Sequence, residues 1–161
     1  MKAITITQPW ASLIAIGAKQ IETRSWNTRY RGPLAIHAGA GLGPVGGERG
    51  LAAQLLTEPF RSVLAQTGIC DSHDLPRGCI VVVGDLFAVF PAGAVDDRGL
   101  PLSAQERAFG NFSAGRYGWR LENVRRLVSP IPARGALGLW EWEPPDDWLA
   151  RLQPVTSSPR Q

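Results

Sequence analysis

The chain has 161 residues, 44% of them hydrophobic and 19% charged, which suits one globular domain and excludes a disordered or fibrous protein. Its start, Met1-Lys2-Ala3-Ile4-Thr5-Ile6-Thr7, has no apolar signal core, and the most apolar stretch, 80–90, is interrupted by Asp85 and too short to cross a bilayer. A cytoplasmic protein with no membrane attachment is therefore expected. The formal charge is only +3, yet Lys19, Arg24, Arg29 and Arg31 face Glu22 alone between positions 19 and 31, a local excess that suits phosphate, nucleic acid or a solvated loop.

Taken in chain order, the first element is a strand over 2–7, where Ile4 and Ile6 alternate with Thr5 and Thr7. Gln8-Pro9-Trp10 then opens a helix, with proline at a position whose N–H needs no partner. Trp10, Leu13, Ile14 and Gly17 recur at helical spacing, so Trp10 is expected in the core, and Gly17 can end the helix in the left-handed conformation. The following residues read as extended, which puts Glu22 and Arg24 on one face and Ile21 with Thr23 on the other. A turn over 26–33 leads to a short strand over 34–38, a glycine-dense loop over 39–47, and a helix over 48–66 with a break at Pro59.

The run over 79–90 is the strongest strand pattern, buried on both faces until Asp85. Ser103 is placed to cap a short helix over 104–109, and strands are expected over 117–128 and 135–143, punctuated by Pro130, Pro132 and Gly135. One domain over 1–150 and a flexible polar tail over 151–161 complete the outline. The elements do not alternate strictly as β-α-β, which favours an α+β architecture or a small barrel.

Several motifs carry little chemistry. Gly41-x-Gly43-x-x-Gly46 fits a dinucleotide-loop pattern, but Pro44 removes a backbone donor where a phosphate would sit, so a surface loop is the better reading. Cys70, His73 and Cys79 match no zinc spacing, and free thiols are expected; no metal or cofactor is called for. With His37 and His73 as the only histidines, a serine–histidine triad has no support. His37 lies just beyond the basic segment, as a wall residue of a cleft or a buried structural ring.

The informative constellation is Gln8-Pro9-Trp10-Ala11-Ser12, then Gly17-x-Lys19-x-x-Glu22-x-Arg24-x-Trp26, then Tyr30-Arg31-Gly32-Pro33-Leu34-Ala35-Ile36-His37. Gly78-Cys79-Ile80-Val81, Phe109-Gly110-Asn111-Phe112-Ser113-x-Gly115-Arg116-Tyr117-x-Trp119 and Gly135-x-x-Gly138-Leu139-Trp140 follow. Together they resemble the ASCH family, named for homology to activating signal cointegrator-1, within the PUA-like superfamily. The resemblance implies a small mixed barrel of five or six strands with flanking helices and a cleft at the signature. It also implies a ligand drawn from RNA, nucleosides or nucleotides, with DNA a further candidate. The ligand-binding set it implies is Pro9, Ser12, Lys19, Glu22, Arg24, Trp26, Tyr30, Arg31, His37 and Tyr117. Residue chemistry agrees in part. Arg24 can fork onto phosphate or a base edge, and Trp26, Tyr30, Tyr117 and Trp119 offer stacking faces, whereas Trp140 is expected in the core.

Two functions of different class follow. In a binding module, Glu22 fixes the Arg24 fork while Lys19 adds charge; a structural ion pair is the plainer alternative for the same residues. In an enzyme, the chain would be similar to the small family members that hydrolyse N4-acylated cytidines, or to relatives suggested to cleave RNA, with Lys19 reactive. Those hydrolases carry a threonine three residues after the lysine, where this chain has Glu22. Glu106 is a candidate remote carboxylate only by its place in a short predicted helix.

Overall fold

The computed structural model describes residues 1–43 and 46–155. Strand β1 (Lys2–Ile6) buries Ile4 and Ile6, and helix α1 (Trp10–Ala15) follows directly. Gly17, at φ +77°, ends that helix by turning the chain so that the N–H groups of Ala18 and Lys19 both reach the Leu13 carbonyl. Strand β2 (Ile21–Arg24) and strand β3 (Gly32–Ala38) come next, then helices α2 (Gly47–Leu55) and α3 (Phe60–Ala65). Strand β4 (Cys79–Pro91), helix α4 (Ala104–Phe109), strand β5 (Tyr117–Pro132) and the short strands β6 (Leu139–Glu141) and β7 (Leu152–Pro154) complete the order.

The strands form one curled half-barrel in the order β2-β5-β4-β3-β1-β6, with β7 added beside β5. β1 and β3 run parallel, placing Thr5 next to His37, while the other pairings are antiparallel. β2 and β6 end the path without pairing to each other, so the sheet is left open along one side. Register shifts in the long β4–β5 pair supply local bends.

The core follows from the amphipathicity of α1. Ala11 and Ile14 face the sheet, meeting Ile4, Ile36, Val82 and Leu86, while Leu13 faces α2, α3 and Phe109 at the end of α4. Helix α4 is capped as its sequence indicated, with the Ser103 hydroxyl accepting from the Glu106 N–H at 3.1 Å.

The break expected at Pro59 separates α2 from α3. Three boundaries differ from the sequence reading. β5 runs through Pro130 to Pro132, because beyond Leu127 it has no β7 partner and a missing N–H on that edge costs nothing. The strand expected over 135–143 shrinks to Leu139–Glu141, leaving 134–138 as a loop. The expected tail begins with strand β7, which is the seventh strand of the sheet, so ordered structure passes residue 150. Residues 156–161 of that tail, and Pro44 and Val45 of the glycine loop, lie outside the described residues.

Leu13 is fully buried between two layers of helix. Leu13→Ala is expected to lower unfolding free energy by about 2–5 kcal/mol, measured by urea unfolding of both proteins.

Candidate functional site

The site grows from the free edge of β2. Gln20 accepts from Leu121, so the backbone groups of Ile21 and Thr23 turn the other way, outward from the sheet. Side chains cap them. Glu106 accepts from the N–H groups of Gln20 at 2.6 Å and Ile21 at 3.3 Å. Lys19 Nζ donates to the carbonyls of Ile21 at 2.7 Å and Phe109 at 2.9 Å. Arg116 donates to the Thr23 carbonyl at 3.2 Å, and the Thr23 hydroxyl accepts from Asn111 N–H at 3.0 Å. An exposed strand edge is thereby closed by charge rather than by another strand.

Lys19 is 1% exposed, with its ammonium 3.6 Å from Glu22 Oε2. Glu22 is itself 8% exposed and holds Arg24 at 3.6 Å through its other oxygen. The Arg24 guanidinium also lies 5.8 Å from the Trp26 ring centre. These contacts orient Arg24 loosely and leave most of its donors free. Burial pushes the Glu106 carboxyl above its ordinary range, opposed by the Gln20 N–H and by Lys19.

Where the half-barrel stays open, a cavity of about 1060 Å³ lies between β1, β2, the end of α4 and the loop over 134–138. Its charged lining comprises Lys19, Arg24, Arg116 and Arg134 against Glu22 alone. Thr5, Thr7, Trp10, His37 and Asn111 add polar and aromatic surface, and glycines 39, 41, 43, 78, 110, 135 and 138 bring backbone to the wall. Gly43 must be glycine, since at φ +56° a Cβ would stand 2.5 Å from the Thr7 methyl.

Of the residues the sequence singled out, Lys19, Glu22, Arg24 and His37 meet at this cavity. Glu106 stands behind it, spent on backbone N–H groups. Pro9 and Ser12 are buried at the start of α1 and do not line it, the Ser12 N–H being taken by Gln8 Oε1 at 3.0 Å. Trp26 is half-buried edge-on against Trp119 at 4.7 Å, and Trp119 is wholly buried, so it offers no stacking face. Tyr30 and Arg31 are satisfied locally, Tyr30 by the Pro33 carbonyl and Arg31 by those of Thr28 and Tyr30, and both lie off the cavity wall. Tyr117 pairs with Arg24 across the strands but is likewise absent from the wall.

Trp10 and Trp140 pack on the core as expected but are only half-buried. Trp10 stands edge-on to Phe60 and also lines the cavity, and Trp140 has its ring against His37. Thr5, Thr7, Arg116 and Arg134 were not singled out at all. Arg116 stood inside one of the familial motifs, but only the fold brings Arg134 to the cavity. Cys70 is exposed and Cys79 buried, both free, and no group of three metal-binding side chains occurs among the described residues.

Fold and site together define an α+β half-barrel domain with a basic, glycine-walled cleft. The ASCH domain model matches residues 4–99, and the chain belongs to the ASCH domain family. Activating signal cointegrator 1 of Mus musculus is 28% identical over 138 residues, and that of Homo sapiens 27% over 141. Each comparison covers 86% of this chain but only 22% of the relative, so the chain spans about a fifth of their length. Crystal structures of ASCH from Zymomonas mobilis and of a single-site mutant of it are 15% and 16% identical, with TM-scores of 0.43 and 0.42. They cover 81% of this chain and 72% and 74% of their own.

Two outcomes follow. Lys19→Met leaves two carbonyls and Glu22 without their cation and is expected to cost about 3–5 kcal/mol in urea unfolding. Burial lowers the His37 pKa, opposed by its bond to the Ala133 carbonyl. The folded chain then binds less proton there than the unfolded chain. The His37 contribution to stability is full above the unfolded value of about 6.5 and is lost as pH falls through the lower folded value. Thermal melts from pH 7.5 downward should show this slope in the wild type and its reduction in His37→Phe.

Proposed function

We propose that this ASCH domain binds nucleic acid, RNA before DNA, or a modified nucleobase as a nucleoside or nucleotide, in the cleft beside Lys19, Glu22 and Arg24. The observation that carries the reading is the charge of the lining, four basic side chains to one carboxylate in a cavity of nucleotide dimensions. Arg24 and Arg116 sit along one wall as forked donors suited to phosphate oxygens. The partly exposed Trp10 offers a ring beside the basic wall. A cytoplasmic place of action fits the free thiols Cys70 and Cys79, and no helix among the described residues is long and apolar enough to cross a membrane.

The hydrolase alternative asks Lys19 to act as base or nucleophile. Its ammonium is instead buried and committed to two carbonyls and a carboxylate, and Glu106 is committed to backbone N–H groups. Binding without turnover is the reading these commitments support.

The test is RNA binding by fluorescence anisotropy with a labelled single-stranded oligonucleotide over a salt series. Wild type should bind with affinity falling steeply as salt rises, and the Arg24→Ala, Arg116→Ala double variant should lose about tenfold or more with a shallower salt slope. Equal affinity and slope for the two proteins would contradict the proposal.

A further inference from the structure

The β1–β3 wall facing Arg24 and Arg116 adds no charged side chain of its own to the lining, Arg134 entering beside it from the loop after β5, and it holds a polar pair with unused capacity. Thr5 on β1 and His37 on β3 are register partners in parallel strands, so their side chains stand side by side on one face. His37 is 2% exposed. Its Nε2 lies 2.9 Å from the Ala133 carbonyl, which can only accept, so Nε2 carries the proton. In the neutral ring Nδ1 is then an acceptor, and it has no partner among the described residues. Trp140 fixes both members of the pair. Its ring packs edge-on against His37 at 5.7 Å, and its Nε1–H donates to Thr5 Oγ1 at 3.2 Å. The Thr5 hydroxyl keeps its own proton to give.

The two free functions converge. A Cβ added to Gly135 would lie 2.6 Å from His37 Nδ1 and 2.7 Å from Thr5 Oγ1, so one small region is within hydrogen-bond reach of both. Gly135 is the residue type that crowds it least. Its turn now shields Nδ1 and is weakly held: residues 134–137 make no hydrogen bond among the described residues, and Leu137 is 99% exposed. A buried acceptor left unpaired costs about 1–3 kcal/mol, a cost that a ligand donor would remove.

We infer that His37 Nδ1 and the Thr5 hydroxyl form a base-reading subsite that takes an adjacent donor and acceptor on the edge of a nucleobase, with the Gly135 turn yielding to admit it. The inference rests on the nucleotide reading above and adds to it. Arg24 and Arg116 hold the anionic part of the ligand on one wall, and the β1–β3 wall holds the base. One acceptor beside one donor is the complement of a nucleobase N–H next to a ring nitrogen or carbonyl.

Calorimetry with CMP, UMP, AMP, GMP and ribose 5-phosphate separates the two claims. At least one nucleotide should bind wild type more tightly than ribose 5-phosphate. His37→Phe, which keeps a ring for Trp140 to pack on, should weaken that nucleotide about tenfold and leave ribose 5-phosphate unchanged. Gly135→Ala should act in the same direction by filling the shared region. In wild type, the ¹⁵N resonance of His37 Nδ1 should move when that nucleotide is added, a readout that needs no variant to fold. Nucleotides binding no better than ribose 5-phosphate, or an Nδ1 resonance indifferent to them, would overturn the subsite while leaving the anionic cleft standing. No binding by any of the five would overturn both.

Discussion

The buried ammonium of Lys19 is the constraint on which the rest of the cleft depends. An ammonium without partners inside a protein is very costly, and this one is made tolerable by two carbonyls and the Glu22 carboxylate. Because one carbonyl belongs to β2 and the other to the last residue of α4, the charge fastens the free edge of the sheet to a helix distant in sequence. The same charge draws Glu22 inward, and the second oxygen of Glu22 steadies Arg24. The order of causes runs from helix stop to lysine, from lysine to glutamate, and from glutamate to the arginine that meets solvent.

That arrangement explains how an open sheet edge can border a cavity without inviting another strand. Glu106, Lys19 and Arg116 each cap outward backbone groups of β2, so the edge is satisfied by side chains that also charge the wall. The opposite wall, β1 and β3, adds no charge of its own and carries its polar atoms as hydroxyl and imidazole, with Arg134 beside it in the loop after β5. A cleft with Lys19, Arg24 and Arg116 on one side and hydrogen-bonding groups on the other is suited to a ligand that is itself divided in this way.

The fold was largely legible because its signals are local. The alternation of Ile4 with Thr5, the stop at Gly17, the Ser103 cap and the β-branched run from Cys79 each act within a few residues, and each produced the element it indicated. The resemblance to the ASCH family supplied the architecture that these local signals could not assemble. Glu22 and Arg24 were legible because strand alternation fixes which neighbours share a face, and Lys19 because of its place in the family signature. Trp10 was half legible: it packs on the core as its stripe indicated, but helical spacing does not show that the rest of its ring borders the cavity. Arg134 and Gly135 were invisible as site residues, since only the β1–β3–β6 pairing brings that loop to the cavity. Pro130 and Pro132 argued for an end to β5, and the strand continued on its pairing with β4 because proline's missing donor does not matter on the other edge, where β7 no longer reaches.

The central claim is that ligand enters the opening between β2 and the loop over 134–138. Amide chemical-shift mapping with a short single-stranded RNA tests it most directly. The account predicts perturbations concentrated on Glu22 to Arg24, Asn111 to Arg116, Gly39 to Gly43 and Arg134 to Gly138. Perturbations centred instead on Thr28 to Arg31, or on the ion pair of Arg120 on β5 with Asp97 in the loop after β4, with the cavity residues unmoved, would contradict it.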